Sequence, residues 1–202
     1  MPEIITPFPL LALVALAAYA LGSIPFGVVL AHLMGLGNLR EIGSGNTGAT
    51  NVMRTGNKLA GALTFLFHAG KGALAVLLAW ALIGADGAQI AGLAAFLGHL
   101  YPLYLRFQGG KGVATFLGVT LAIAWPVGLL TCATWLLTFK LSRYSSLSAL
   151  VACGFSSIYA ALLGHMAVVA LLVVMKILVF YRHRDNIRRL INRTEPRFRK
   201  KR

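Results

Sequence analysis

Six long apolar runs limit what this chain can fold into. They cover residues 8–34, 59–84, 88–105, 113–139, 147–163 and 165–181. A helix needs about 20 apolar residues to cross a bilayer, and in lipid each spanning segment must satisfy its own backbone polar groups. The chain has 202 residues, 58% of them hydrophobic, and its mean hydropathy is +0.77. A soluble globular domain is excluded; one all-α polytopic membrane domain over residues 1–202 is predicted. Glu3 and no Lys or Arg precede the first run, so no cleavable signal peptide is expected.

Charge sets the topology. The formal net charge is +14, from 19 Lys and Arg against 5 Asp and Glu. The basic residues gather in short connections and in segment 183–202, which holds nine of them. Arg106 and Lys111 precede run 113–139, and Lys140 and Arg143 follow it. If both ends are cytoplasmic the run crosses twice, and Trp125-Pro126 is the natural break. Two short helices of about 13 residues each are expected there, tilted or in thinned membrane. The count is then seven transmembrane helices, with the amino terminus outside and 183–202 a basic cytoplasmic tail. Residues 85–88, with Asp86, read as a turn. Pro25 is expected to kink the first run, where Gly22, Ser23 and Gly27 permit close helix packing.

Polar character is concentrated in the loops. Gly43-Ser44-Gly45-Asn46-Thr47-Gly48-Ala49-Thr50 and Arg54 sit between the first two runs. Small polar residues beside glycine can aim backbone N–H groups at one anion, and arginine adds a planar fork of donors. The spacing matches G-x-G-x-x-G, but an apolar helix-length run precedes it where a dinucleotide fold needs a strand. A second loop, Gly109-Gly110-Lys111-Gly112, lacks the spacing of a P-loop yet offers N–H groups and a lysine. His68 and Lys71 lie inside the second run, where an ionisable group is either functional or snorkels to a surface. Lys176 is expected to snorkel. Cys132 and Cys153 read as core residues, and no metal or cofactor site is expected.

Gly22-Ser23-Ile24-Pro25, residues 43–54, Gly98-His99 with Pro102, residues 109–115, and His183-Arg184 with Asn186-Ile187 and Arg189-Leu190 together resemble the acyl-phosphate-dependent glycerol-3-phosphate acyltransferases of bacterial inner membranes, the PlsY family. The resemblance covers nearly the whole chain. It implies acyl transfer from acyl phosphate to the sn-1 hydroxyl of glycerol 3-phosphate, giving lysophosphatidic acid, and a functional link to the soluble enzyme that makes acyl phosphate. It implies catalytic roles for Ser44, Asn46, Lys111 and His183. It assigns substrate binding to Gly43, Gly45, Thr47, Gly48, Thr50, Arg54, Gly109, Gly110, Gly112, Ser146 and Asn186. Two departures stand out: His68 replaces the aspartate of an Asp-x-x-Lys-Gly motif, and Asn38 replaces an aspartate before the first loop arginine.

An acyl phosphate is already activated, so the protein mainly has to orient the hydroxyl and stabilise the leaving phosphate and the tetrahedral oxyanion. Backbone N–H groups of 43–48 with Ser44, Asn46 and Lys111 suit that task; Arg54 and the Ser146 region suit the second phosphate. No run contains Asp or Glu, and the H-x-x-x-x-D dyad of other glycerolipid acyltransferases is absent. The proton acceptor is His183 or the donor phosphate. His99 reads as structural, and His32 and His165 carry no signal. The rival reading is a transporter of an organic phosphate, but no inverted repeat accompanies it.

Overall fold

The computed structural model describes residues 2–198. Among these, every regular element is helical. The chain divides into two compact units, 2–123 and 124–198.

The first unit contains α1 (Phe8–Ser23), α2 (Phe26–Leu33), the one-turn α3 (Ala49–Met53), α4 (Lys58–Ile83), α5 (Ala85–Leu100), a 3-10 turn at Leu103–Leu105, and α6 (Val113–Ile123). Pro25 does more than kink the first run. Ile24 and Pro25 leave the helical conformation, and the run is broken into α1 and α2. Glycines let the helices approach to backbone contact. A Cβ on Gly22 would lie 2.1 Å from the Ala95 carbonyl oxygen, and one on Gly118 would lie 1.9 Å from that of Ala69. Thus α1 lies against α5, and α6 against α4, with alanines and glycines at the seams. Asn57 caps α4 by accepting the Ala60 N–H, 2.9 Å.

Residues 85–88 form no separate turn. Gly84, with φ 89°, ends α4, and α5 starts at the next residue. Asp86 lies buried in the first turn of α5. Its carboxylate accepts the Ile5 and Thr6 N–H groups at 3.1 and 2.8 Å and the Thr6 hydroxyl at 3.0 Å, tying down the amino-terminal segment.

The second unit contains α7 (Trp125–Ser142), α8 (Ser145–Leu162), α9 (Met166–Arg182) and α10 (Arg184–Ile191). The break in run 113–139 falls at Ala124, as the Trp125-Pro126 signal predicts, but the two parts are unequal: α6 has 11 residues and α7 has 18. Pro126 is tolerated in the first turn of α7, where its missing N–H has no helical partner to lose. Charge does not stop α7 either. It runs past Lys140 and ends where Arg143 turns left-handed, φ 63°. Lys176 does not snorkel: its ammonium donates to the Ser157 hydroxyl on α8, 2.7 Å away. The tail is not simply solvated. Residues 184–191 form α10, Phe198 N–H bonds the Arg143 carbonyl, and Arg197 bonds and covers the Tyr144 ring. Residues 199–202, four basic positions of the expected tail, lie outside the described residues.

Among the described residues, four runs are long and apolar enough to cross a bilayer: Phe8–Leu33, Lys58–Ile83, Ala85–Leu105 and Ser145–Leu162. Met166–Arg182 with Arg184–Ile191, bent by 62°, makes a fifth if taken as one span. Large side chains such as Leu13, Leu16, Leu66, Leu82 and Leu162 are exposed on these helices. Apolar surface of this extent is what a lipid-facing helix requires.

Candidate active site

Loop 43–48 is shaped from within. Gly43 and Gly45 take left-handed φ values of 55° and 65°, a conformation a side chain would strain. Asn51, buried in α3, is its organiser. Its Oδ1 accepts the Ser44 N–H at 3.0 Å and the Ser44 hydroxyl at 3.3 Å, and its Nδ2 donates to the Leu39 carbonyl at 2.9 Å. Arg54, at the end of α3, folds over the loop: a Cβ on Gly43 would lie 2.7 Å from Arg54 Cδ and 2.9 Å from Nη1. Thr47 is buried, and the Oδ1 of Asn46 is enclosed without a hydrogen-bond partner. Thr50 lies in α3, half-buried. Asn38 supports the approach to this loop. Its Oδ1 accepts the Arg40 N–H, 3.1 Å, and its amide donates to Glu41 at 2.6 Å.

The second loop meets the first through Arg40, whose guanidinium donates to the Gln108 carbonyl at 2.8 Å. Arg106 and Phe107 both take positive φ, 50° and 63°, strain of a kind that gathers at functional sites. Gly109 and Gly110 are pressed against the end of α5: a Cβ on Gly110 would lie 2.4 Å from His99 Nε2. Lys111, half-buried, and Gly112 then lead into the amino terminus of α6. That terminus adds the positive end of a helix dipole.

One feature of the sequence reading changes. The Ser44 N–H goes to Asn51, and the Gly45 N–H goes to the Ile42 carbonyl at 2.9 Å. The N–H groups of Gly109 and Gly110 go to the carbonyls of Leu100 and His99, each 3.2 Å. These four groups hold the loops in shape and are not directed at a ligand. The glycines serve backbone geometry, and the side-chain donors these loops carry are those of Ser44, Asn46, Thr50, Arg54 and Lys111.

In the second unit, Ser146 and Asn186 converge on one carboxylate that the sequence reading missed. Glu195 Oε1 accepts the Ser146 hydroxyl at 2.6 Å and the Asn186 amide at 2.7 Å, while Oε2 pairs with Arg189 Nε at 2.7 Å. Burial pushes the Glu195 carboxyl up, but the bonds from Ser146, Arg189 and Asn186 and the Arg189 charge outweigh it and hold it below the ordinary carboxylate range. One available signal was its setting: Glu195 and Asp185 are the only acids among nine cations. His183, 3% exposed, stands at the bend between α9 and α10. Its Nδ1 lies 2.8 Å from the Val179 carbonyl. A carbonyl can only accept, so Nδ1 carries a proton.

Lys71 does not snorkel. It is buried, and it donates to the carbonyls of Gly22 and Ile24. The Pro25 break strips those carbonyls of helical partners, and the ammonium replaces them. Among the described residues no cluster of three or more His, Cys, Asp or Glu could hold a metal ion.

Fold and site define an all-helical integral membrane protein that carries hydroxyl, amide and cationic side chains on shaped, glycine-rich loops. Residues 12–193 match the family model described as glycerol-3-phosphate acyltransferase. A glycerol-3-phosphate acyltransferase of Dinoroseobacter shibae is 58% identical over 197 residues, covering 98% of this chain and 97% of the relative. One from Cereibacter sphaeroides is 55% identical over 201 residues, covering 100% and 96%. The crystal structure of PlsY, an integral membrane glycerol 3-phosphate acyltransferase, in its glycerol 3-phosphate form, superimposes with a TM-score of 0.89 at 41% identity over 94% of this chain and 96% of that one. Its lysophosphatidic acid form gives 0.86 at 38% identity, over 94% and 95%. The chain belongs to the glycerol-3-phosphate acyltransferase family.

Proposed function

We propose that this protein transfers an acyl group from acyl phosphate to the sn-1 hydroxyl of glycerol 3-phosphate, releasing phosphate and lysophosphatidic acid. Family membership and the two PlsY forms, one with glycerol 3-phosphate and one with lysophosphatidic acid, support the acceptor and product. The nature of the site supports the donor. Loops 43–48 and 109–112 bring hydroxyl, amide and cationic groups together through Arg40 and Gln108, with no carboxylate or thiolate nucleophile among them. Such a site can stabilise charge and orient groups around a donor that arrives already activated, as an acyl phosphate does.

In this reading the glycerol hydroxyl attacks the acyl carbonyl carbon, the carbon–oxygen bond to phosphate breaks, and phosphate departs with the electron pair. Lys111 and Ser44 stabilise the negative charge that grows. The enclosed Asn46 Oδ1 accepts a hydrogen bond from a glycerol hydroxyl. Arg54, with Thr50, holds the phosphate that glycerol 3-phosphate keeps throughout; Ser146 and Asn186 stay engaged with Glu195 in the second unit. Gly43, Gly45, Thr47, Gly48, Gly109, Gly110 and Gly112 form the walls. The hydroxyl proton goes to His183 Nε2 or to the departing phosphate.

The two units act as one acyltransferase domain. Seven crossings, with the amino terminus outside and the loops and tail cytoplasmic, place the chemistry on the inner face of a bacterial inner membrane. There a soluble enzyme can deliver acyl phosphate, while anionic lipid meets the basic segment. The test is direct: purified protein in lipid is given glycerol 3-phosphate with acyl phosphate, acyl-CoA or acyl carrier protein in turn. Lysophosphatidate from acyl phosphate alone is expected. Formation from either thioester at a comparable rate overturns the donor assignment, and no product from any donor favours the transporter reading.

A further inference from the structure

His68 departs from the aspartate of the resembled family, and it is almost fully enclosed, 2% exposed in α4. Its surroundings account for its presence better than a proton-transfer role does. The ring stands edge-on to His99 of α5, with centroids 4.5 Å apart and planes at 90°. The Nε2 edge of the same His99 ring is the wall on which Gly110 rests. The backbone of His68 is engaged as well: its carbonyl accepts the Thr115 hydroxyl at 3.0 Å, four residues past Lys111. Toward the other loop, the His68 ring faces the backbone of Thr47, and neither ring nitrogen reaches a partner at hydrogen-bonding geometry. Thr47 is itself fixed, because its carbonyl oxygen would lie 1.9 Å from a Cβ on Gly27. One side chain therefore lies between the Thr47 loop and the support of the Gly110–Lys111 loop.

We infer that His68 is a positioning residue: its ring, set edge-on against His99, wedges the loop that carries Lys111 into register with the loop that carries Ser44 and Asn46. What it supplies is a flat, rigid body of the right thickness. An aspartate at this position would reach its neighbours by charge and hydrogen bonds, and its exchange for histidine substitutes shape for charge. The inference rests on the proposed role of Lys111 at the leaving phosphate. An error of about 1 Å in the placement of such a group costs on the order of 10²-fold in rate, so a wedge acting through Lys111 should be felt in kcat.

A double-mutant cycle in purified protein, with acyl phosphate and glycerol 3-phosphate as substrates, tests it. His68→Ala should lower kcat by about 10–100-fold while the KM for glycerol 3-phosphate stays within about threefold. In a Lys111→Ala background the same substitution should cost less than about threefold, because there is no longer a placed cation to misplace. His68→Phe, which keeps a flat ring, should retain kcat within about fivefold; His68→Gln, polar but without a ring, should behave as alanine. If His68→Ala does not accumulate as folded protein, the Phe and Gln variants carry the same comparison. Equal fractional losses in the two backgrounds, a loss confined to KM, or Gln outperforming Phe overturns the inference while leaving the reaction assignment intact. Near-normal kcat in Lys111→Ala alone overturns the inference together with the proposed role of Lys111, and leaves the reaction to the donor assay.

Discussion

Glu195→Ala is the most informative single change in the second unit. The carboxylate receives hydrogen bonds from Ser146, Asn186 and Arg189 at 2.6, 2.7 and 2.7 Å, and its side chain is 7% exposed. A hydrogen bond to a charged group contributes about 1.5–3 kcal/mol, and a buried donor left without a partner costs about 1–3 kcal/mol. The Arg189 side chain is 38% exposed, so solvent screening cuts its share to about 0–1 kcal/mol. Ser146 and Asn186, both buried, carry the rest, and the sum is about 3–5 kcal/mol. For a chain of this length that lowers Tm by roughly 6–20 °C. The assay is thermal unfolding in detergent at neutral pH. Glu195→Gln keeps one acceptor oxygen for Ser146 and Asn186 and should lose less than half as much.

The same carboxylate sets a pH dependence. Its folded pKa is depressed, so its contribution is fully present above the unfolded carboxylate value of about 4.3. It is lost as pH falls through and below that value. The stability gap between wild type and Glu195→Gln should therefore narrow below about pH 4.5. A Tm for Glu195→Ala within about 2 °C of wild type, or a gap that widens in acid, would refute the reasoning.

Lys111→Ala should lower kcat by about 10²–10³-fold, the loss typical of one oxyanion-stabilising donor; steady-state kinetics with each substrate varied read it directly. Arg54→Lys keeps the charge but not the fork, and should mainly raise the KM for glycerol 3-phosphate; an effect on the acyl-phosphate KM alone would reverse the assignment of the two phosphates. Lys71→Met strands the Gly22 carbonyl at the Pro25 break, while Ile24 keeps the Phe26 N–H, and should cost about 1–3 kcal/mol, seen as a lowered Tm with little change in KM. A cysteine at Glu3 should react with a membrane-impermeant reagent added outside intact cells, and labelling only after lysis would contradict the seven-crossing topology.

The sequence by itself determined the helices and their interruptions. Apolar run length, Pro25, Gly84 and Trp125-Pro126 are local quantities, and in lipid a backbone has few alternatives to a helix. It also determined where polar chemistry concentrates, because glycine-rich loops with Ser44, Asn46, Arg54 and Lys111 stand out against apolar runs. It did not set the length of α7: a terminal lysine such as Lys140 does not end a helix, whereas the left-handed turn at Arg143 does. Only the tertiary structure decided which polar groups meet. Lys71 with Gly22 and Ile24, His68 with His99, and Ser146 with Glu195 are pairings across 31 to 49 positions. Helices that are apolar on every side carry little periodic signal to say which face turns inward. In lipid, moreover, no hydrophobic difference separates the inner face from the outer, so close packing at glycine and the need to satisfy each buried donor and acceptor choose the partners. The same rule explains the N–H groups of Ser44, Gly45, Gly109 and Gly110: a glycine-rich sequence permits them to face an anion, but the neighbouring carbonyls and Asn51, brought close by folding, had already taken them.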